Sequence, residues 1–280
     1  MKYQEIRSLE YQNEVKVLKN LNADITDKRY RLRSPYTFFK ILLYIEGASI
    51  LVFLLQHTPI KPNWITFFYA IIGIVAGLLL ASGENNLIIT AIIIYFFKVI
   101  IDGSDGLLAR VKNQTSHLGA LLDNWAGLVN EYFFLLGFGM YLFNVTQQIH
   151  FLFIMMAMIL IKAIDLKDYT YYYSMYSFFK GNKTIKELTA EEINNKIELS
   201  SASKYIIKMK DIFQDWVNYH GKTIDLIGLI IIFELHYNKI ILTNYIYYIF
   251  FFKIIMLFSG GFYLLYFKKF DESIISKLGK

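Results

Sequence analysis

Three aspartates and one arginine in the middle of the sequence have the types and spacing for chemistry on a phosphate. Asp102 and Asp105 are three residues apart, so on a helix their carboxylates share one face. Arg110 lies about two turns beyond Asp102, and Asp123 falls in the next apolar segment. Neighbouring carboxylates repel one another unless a cation neutralises them, and oxygen ligands suit Mg²⁺, Mn²⁺ or Ca²⁺. Because Arg110 offers a planar fork to phosphate oxygens, this set predicts a metal–diphosphate site.

Two glycines and a lysine accompany this set. Gly106 and Gly119 carry no side chain and allow a ligand or a backbone to come close. Lys98 precedes Asp102 by one helical turn on the same face. Two roles follow for Lys98, a counter-charge to the carboxylates or a contact to the diphosphate.

The composition predicts an all-α polytopic membrane protein. Of 280 residues, 55% are hydrophobic and 19% are charged, and the apolar residues form long blocks. This excludes a disordered chain and argues against a soluble globular enzyme. The absence of Cys excludes thiol nucleophiles, Cys-ligated zinc and disulfides. The net charge of +6 suits an anionic leaflet or anionic substrates, and we expect membrane lipids, not nucleic acid, as partners.

Six apolar segments are long enough, or nearly so, to cross a bilayer, which takes about 20 residues as helix. Residues 1–61, 110–118, 166–222 and 268–280 together hold 25 of the 29 Lys and Arg, which predicts that both termini are cytoplasmic. An earlier block, Phe38–Gln56, would reverse this orientation if it spanned, so we expect it to be interfacial or re-entrant. The six predicted spans are Trp64–Ser82, Leu87–Ile101, Leu118–Phe143, Phe151–Ile164, Ile224–Leu235 and Ile240–Phe267.

These elements divide the chain into four predicted parts. Residues 1–35 form a cytoplasmic helical extension, with a helix at Tyr3–Asn20 followed by the basic stretch Lys28–Arg33. An interfacial or re-entrant segment, 36–61, leads into the six-helix membrane domain, 62–267. That domain includes a long cytoplasmic connection, 166–222, and a cytoplasmic tail follows at 268–280.

The central segment resembles the signature of the CDP-alcohol phosphotransferase family, D-x2-D-G-x2-A-R-x8-G-x3-D-x3-D. A second likeness is Pro62-Asn63-Trp64-Ile65-Thr66, since members often begin their first span with a similar P-N-x-x-T. The resemblance covers residues 36–267. The positions that match the signature are Asp102, Asp105, Gly106, Ala109, Arg110, Gly119 and Asp123.

The resemblance implies a reaction and a set of roles. Members transfer a substituted phosphate from a CDP-linked donor, often CDP-diacylglycerol, to an alcohol acceptor and release CMP. Members are commonly homodimers, and residue usage favours a bacterial inner membrane for this chain. The three aspartates would bind one or two Mg²⁺ or Mn²⁺ ions. The expected nucleotide and diphosphate contacts are Gly106, Ala109, Arg110, Gly119, Lys98, Asn63 and Thr66.

The last signature position departs from the family. Gly127 stands where members have the aspartate that is taken to be the general base, and Gly cannot accept a proton. Glu131 lies one turn beyond it on the same face and is the candidate substitute, although a turn rises 5.4 Å and Glu recovers only part of that distance. Two outcomes are open: an active phosphotransferase, or an impaired pseudoenzyme that binds metal and nucleotide or lipid.

Overall fold

The computed structural model describes residues 1–20, 35–163 and 220–237, and every element in these ranges is an α-helix. The chain divides into two compact units, Met1–Tyr141 and Leu142–Lys280. The bounds predicted for the first helix are confirmed. The helices are α1 (Tyr3–Asn20), α2 (Pro35–Leu55), α3 (Pro62–Leu80), α4 (Asn85–Val111), α5 (His117–Thr146), α6 (His150–Ala163) and α7 (His220–Tyr237).

Four of the described helices, α2 to α5, are long and apolar enough to cross a membrane. This confirms the all-helical membrane class, while the count of six spans is not confirmed. The segment predicted to be interfacial is the unbroken 21-residue helix α2, and its placement at the interface stays a prediction. The basic stretch Lys28–Arg33, the predicted span Ile240–Phe267 and nearly all of the connection 166–222 lie outside the described residues.

One continuous helix, α4, carries the first part of the candidate motif, from Asp102 to Arg110. The predicted second span was expected to end at Ile101, but the helix runs for 27 residues to Val111. Asn113 then adopts a left-handed conformation, with φ of 53°. The Gln114 N–H donates to the Ala109 carbonyl at 2.8 Å, and the Asn113 N–H donates to the Arg110 carbonyl at 3.2 Å. This Schellman arrangement ends α4 just after Arg110, the last motif residue on this helix.

Helix α5 begins just before the next motif residues. The Gly119 N–H donates to Ser116 Oγ at 3.0 Å, which is the usual side-chain cap of a helix N-terminus. His117 is therefore the first residue of α5. The cap fixes where Gly119 and Asp123 stand on the helix.

Glycines bring α3 and α5 into backbone contact. A Cβ on Gly77 would lie 2.5 Å from the Phe133 carbonyl oxygen, and a Cβ on Gly137 would lie 2.4 Å from the Gly77 carbonyl oxygen. Small residues allow such close approach between membrane helices. Tyr95 of α4 donates to the Gly73 carbonyl at 3.0 Å and joins the third helix to this contact.

Replacing Gly137 by Ala is therefore expected to lower the thermal unfolding midpoint of the purified protein in detergent. Overpacking of this kind costs about 1–3 kcal/mol. Gly127→Ala is the matched control on the same helix, because a Cβ there meets no described atom within 4 Å. Ala is also the better helix former by about 1 kcal/mol. Equal midpoints for the two variants would contradict the close helix contact.

Helix α1 docks onto α2 and α4 within the first unit. Ile6 is fully buried in a cluster with residues of α2, α3 and α4, including Val52 and Leu107. At the edge of this contact, Arg7 forms an ion pair with Glu46 at 2.5 Å, and the Tyr3 hydroxyl donates to Glu46 at 2.7 Å. The predicted cytoplasmic extension thus begins with a helix that packs against the membrane domain.

In the second unit, α6 and α7 each bury an apolar stripe. Met155 and Met158 are buried on α6, and Ile227 and Ile231 are buried on α7. The stripe on α7 lies within the predicted span Ile224–Leu235.

Candidate active site

Asp105 is held between two helices. It is nearly fully buried on α4. The Thr66 hydroxyl of α3 donates to its Oδ2, and the Gly106 N–H donates to its Oδ1 at 2.6 Å. The two predicted site residues Thr66 and Asp105 are therefore in direct contact. Because both carboxylate oxygens accept a hydrogen bond, the carboxylate is oriented by the fold before any ligand arrives.

Asp102 lies one turn before Asp105 and has partners from two helices. The Tyr69 hydroxyl of α3 is its hydrogen-bond partner, and Lys98 of α4 supplies a nearby positive charge. The ammonium group of Lys98 also lies over the rings of Tyr69 and Tyr95, at 5.7 and 5.1 Å from their centroids. The Lys98 charge is thus placed to offset that of Asp102, and its contact to the diphosphate stays a prediction.

Asp123 completes the set from α5. Its carboxylate is close enough to Asp102 and Asp105 for mutual repulsion, and its side chain is more exposed than theirs. Within the described ranges, no three acidic or histidine side chains form a ready-made ligand cluster. The three carboxylates are oxygen donors of the kind that Mg²⁺ and Mn²⁺ prefer. The chemistry of the donor set therefore fits a hard divalent ion.

Asn130 joins the three helices behind the carboxylates. Its side chain is fully buried. The Nδ2 group donates to the Tyr69 carbonyl at 3.2 Å and to the Ala126 carbonyl at 2.9 Å, while Lys98 Nζ donates to Oδ1 at 3.4 Å. Gly73 makes room for this amide, since a Cβ there would lie 2.1 Å from Oδ1. Asn130 thereby sets the positions of Tyr69 and Lys98, the two partners of Asp102.

The other predicted nucleotide contacts lie at the ends of these helices. Arg110 Nη1 lies 3.5 Å from where a Cβ on Gly106 would stand, so the guanidinium borders a residue without a side chain. A Cβ on Gly119 would stand 3.5 Å from Asn63 Oδ1. Asn63 and Gly119 are therefore neighbours at the start of α3 and α5. Ala109 is buried on α4.

Gly127 and Glu131 differ in their surroundings. A Cβ on Gly127 would meet no atom of the described residues within 4 Å, so the position is open. Glu131 is buried, with 6% of its surface exposed. Among the described residues no atom occupies the space beside Gly127, and Asp123 and Glu131 each lie one helical turn away along α5.

Three residues of the site were not predicted from the sequence. Tyr69 follows Thr66 by three residues, so helical spacing could have found it. Asn130 was not among the predicted site residues, yet it contacts both α3 and α4. Glu10 of α1 forms an ion pair with Arg110, and the sequence carries no signal for a contact between residues 100 positions apart.

The comparisons with known proteins agree with this geometry. Residues 60–185 match the family model described as CDP-alcohol phosphatidyltransferase. This stretch contains α3 to α6 and with them the three aspartates, Arg110 and Gly127. No curated protein matches the chain significantly.

Proposed function

We propose that the protein transfers a substituted phosphate from a CDP-linked donor to an alcohol, in line with the match of residues 60–185 to the CDP-alcohol phosphatidyltransferase family model. The by-product is CMP. The observation that carries this proposal is that two carboxylates of α4 are hydrogen-bonded to hydroxyl groups of α3, with a third carboxylate of α5 close enough to repel both. Asp105 accepts a hydrogen bond from the Thr66 hydroxyl, and Asp102 is hydrogen-bonded to the Tyr69 hydroxyl. The negative charge of Asp123 is close enough to repel both carboxylates.

The donor would bind by its diphosphate and its cytidine group. Asp102, Asp105 and Asp123 would hold one or two Mg²⁺ or Mn²⁺ ions, which supply positive charge against the diphosphate and lower the pKa of a bound hydroxyl. The absence of a side chain at Gly106 leaves room for the nucleotide beside the Arg110 guanidinium. Asn63, Ala109 and Gly119 are the remaining proposed contacts to the nucleotide.

The transfer step exchanges one phosphorus–oxygen bond for another. The acceptor hydroxyl oxygen bonds to the phosphorus that carries the transferred group, and the bond from that phosphorus to the CMP oxygen breaks. The hydroxyl proton passes to a base, for which Glu131 is the candidate. Glu131 is buried on the same face of α5 as Gly127, one helical turn further along the chain.

The open space at Gly127 favours a second candidate function. With no side chain at this position and no described group filling the gap, the chain would bind metal and donor without efficient proton transfer. General base assistance is worth about 10²–10⁴-fold in rate. The alternative is therefore an impaired relative that binds metal and nucleotide or lipid.

Membrane lipids are the proposed surroundings, and both donor classes are candidates. CDP-diacylglycerol would place the reaction in phospholipid synthesis, whereas a CDP-linked head group would require a lipid alcohol as acceptor. A multi-pass protein with cytoplasmic termini in a bacterial inner membrane, acting as a homodimer, is the proposed cellular form.

The proposal predicts CMP release that depends on a divalent ion. Purified protein in detergent is expected to release CMP from CDP-diacylglycerol or from one of a panel of CDP-alcohols when Mg²⁺ or Mn²⁺ and an alcohol are present. Chelation by EDTA is expected to abolish release, and added Mn²⁺ is expected to restore it. Metal-dependent CDP binding without any CMP release would support the impaired relative instead.

A further inference from the structure

The first helix of the chain reaches the candidate active site through one buried carboxylate. Glu10 of α1 is completely buried, with 0% of its surface exposed. Its Oε2 accepts from Arg110 Nη2 on α4, and its Oε1 accepts from the Tyr44 hydroxyl on α2. Both carboxylate oxygens are therefore occupied by donors from two different helices of the membrane domain.

Arg110 keeps donors free of this ion pair. Glu10 takes one of the three guanidinium nitrogens, Nη2. Nη1 borders the open side of Gly106, and Nε is buried without an acceptor among residues 1–20, 35–163 and 220–237. An arginine with five N–H donors can thus be fixed by one carboxylate and still bind a phosphate.

We propose that Glu10 is a positioning residue for the donor site: it holds the Arg110 guanidinium beside Gly106, where the diphosphate of the CDP-linked donor binds. This inference rests on the proposed function. In this arrangement α1 forms part of the wall of the site, although residues 1–35 lie outside the segment that matches the family model.

The docking of α1 has other sources, so anchoring alone does not account for Glu10. Ile6 fills the cluster with Val52 and Leu107, and Arg7 pairs with Glu46. A fully buried carboxylate is costly unless it is paired, so a residue that served only to anchor α1 would be better apolar. The hydrogen bonds from Arg110 and Tyr44 explain why a charged residue stands at this buried position.

A second carboxylate on α1 leaves this ion pair in place. Glu14 lies one turn after Glu10, and burial together with the Glu10 charge raises the pKa of Glu14. Glu14 therefore holds its proton to higher pH than an ordinary glutamate. The Arg110 charge acts in the opposite direction, so Glu14 interacts with both members of the ion pair.

The test compares three single variants of the full chain in detergent. Glu10→Gln keeps the size of the side chain, but its amide accepts from only one of Tyr44 and Arg110 and turns an NH₂ group to the other. Hydrogen bonds to charged groups are worth enough for about a tenfold change. We expect the KM for the CDP-linked donor, and the Kd for CDP with Mn²⁺, to rise about tenfold, with kcat changed less than about twofold.

Two variants serve as matched controls. Arg7→Gln removes the ion pair with Glu46 and leaves Arg110 untouched, so it is expected to lower the unfolding midpoint without changing KM. Tyr44→Phe removes one donor to Glu10 and keeps the charge, so it is expected to shift KM by less than Glu10→Gln does. A purely structural Glu10 would move the midpoint alone.

The outcomes separate the two proposals. An unchanged KM and Kd in Glu10→Gln would overturn the positioning role while CMP release by the wild type upheld the transfer reaction. A lower KM would also overturn it, because Glu10 would then compete with the diphosphate for Arg110. Weakened CDP binding in a protein that releases no CMP would support the positioning role and overturn the transfer reaction. A wild type that binds no CDP would overturn both.

Discussion

Replacing Asp105 by Asn is expected to lower metal-dependent CMP release by about 10²–10³-fold, the loss typical of removing one preorganised electrostatic group. Asn is nearly the same size, but it carries no charge to hold a divalent ion. Its amide also accepts from only one of the two present donors, Thr66 and the Gly106 N–H. The loss therefore combines a missing ligand charge with a disturbed orientation.

Thr66→Val separates these two contributions. Val is close in shape to Thr and leaves the Asp105 charge in place, but it cannot donate to Oδ2. We expect Thr66→Val to lower CMP release far less than Asp105→Asn, and raised Mn²⁺ to recover much of its loss. The unfolding midpoint of each variant in detergent serves as the control for folding. Activity of Asp105→Asn within tenfold of the wild type would contradict the role of Asp105 at the metal.

The sequence predicted the parts of this site that lie along one helix. Helical spacing predicts that Asp102 and Asp105 share one face of a helix and that Arg110 lies about two turns further along it. The apolar blocks likewise predicted α3 to α5 with ends correct to a few residues, apart from the end of α4. There the helix continues for ten residues past the apolar block. Its polar residues Asp105 and Arg110 are hydrogen-bonded to Thr66 of α3 and Glu10 of α1.

The contacts between helices could not be predicted from the sequence. Asn130 was not predicted to belong to the site, because it is the close approach of α3 at Gly73 that brings its amide against Tyr69 and Lys98. Glu10 meets Arg110 because α1 packs on α2 and α4, a tertiary fact that no local pattern encodes. Spacing fixes a face of a helix, and packing decides what that face meets.

Gly127→Asp is the second variant with a large expected effect, and its direction is a gain. We expect CMP release to rise about 10²-fold, at the lower end of the range for a general base. The substitution has room, because a Cβ at this position meets no described atom within 4 Å. Gly127→Asn is the matched control, since it fills the same space and cannot accept the proton. Metal affinity is measured separately for both variants.

Glu131→Gln tests whether Glu131 already supplies part of the general base assistance, which is why the gain in CMP release from Gly127→Asp is expected at the lower end of the range. If Glu131 acts as a partial base from one turn deeper, Glu131→Gln lowers CMP release of the Gly127 protein by about 10-fold or more and has little effect when Asp stands at 127. Two groups that serve one proton are non-additive in this way, and a double-mutant cycle measures it. Equal losses in both backgrounds would assign Glu131 a structural role.

No gain from Gly127→Asp, with metal and CDP binding intact, would mean that proton transfer does not limit the reaction. The ion-bound hydroxyl would then need no carboxylate at this position, because coordination alone lowers the pKa of an oxygen.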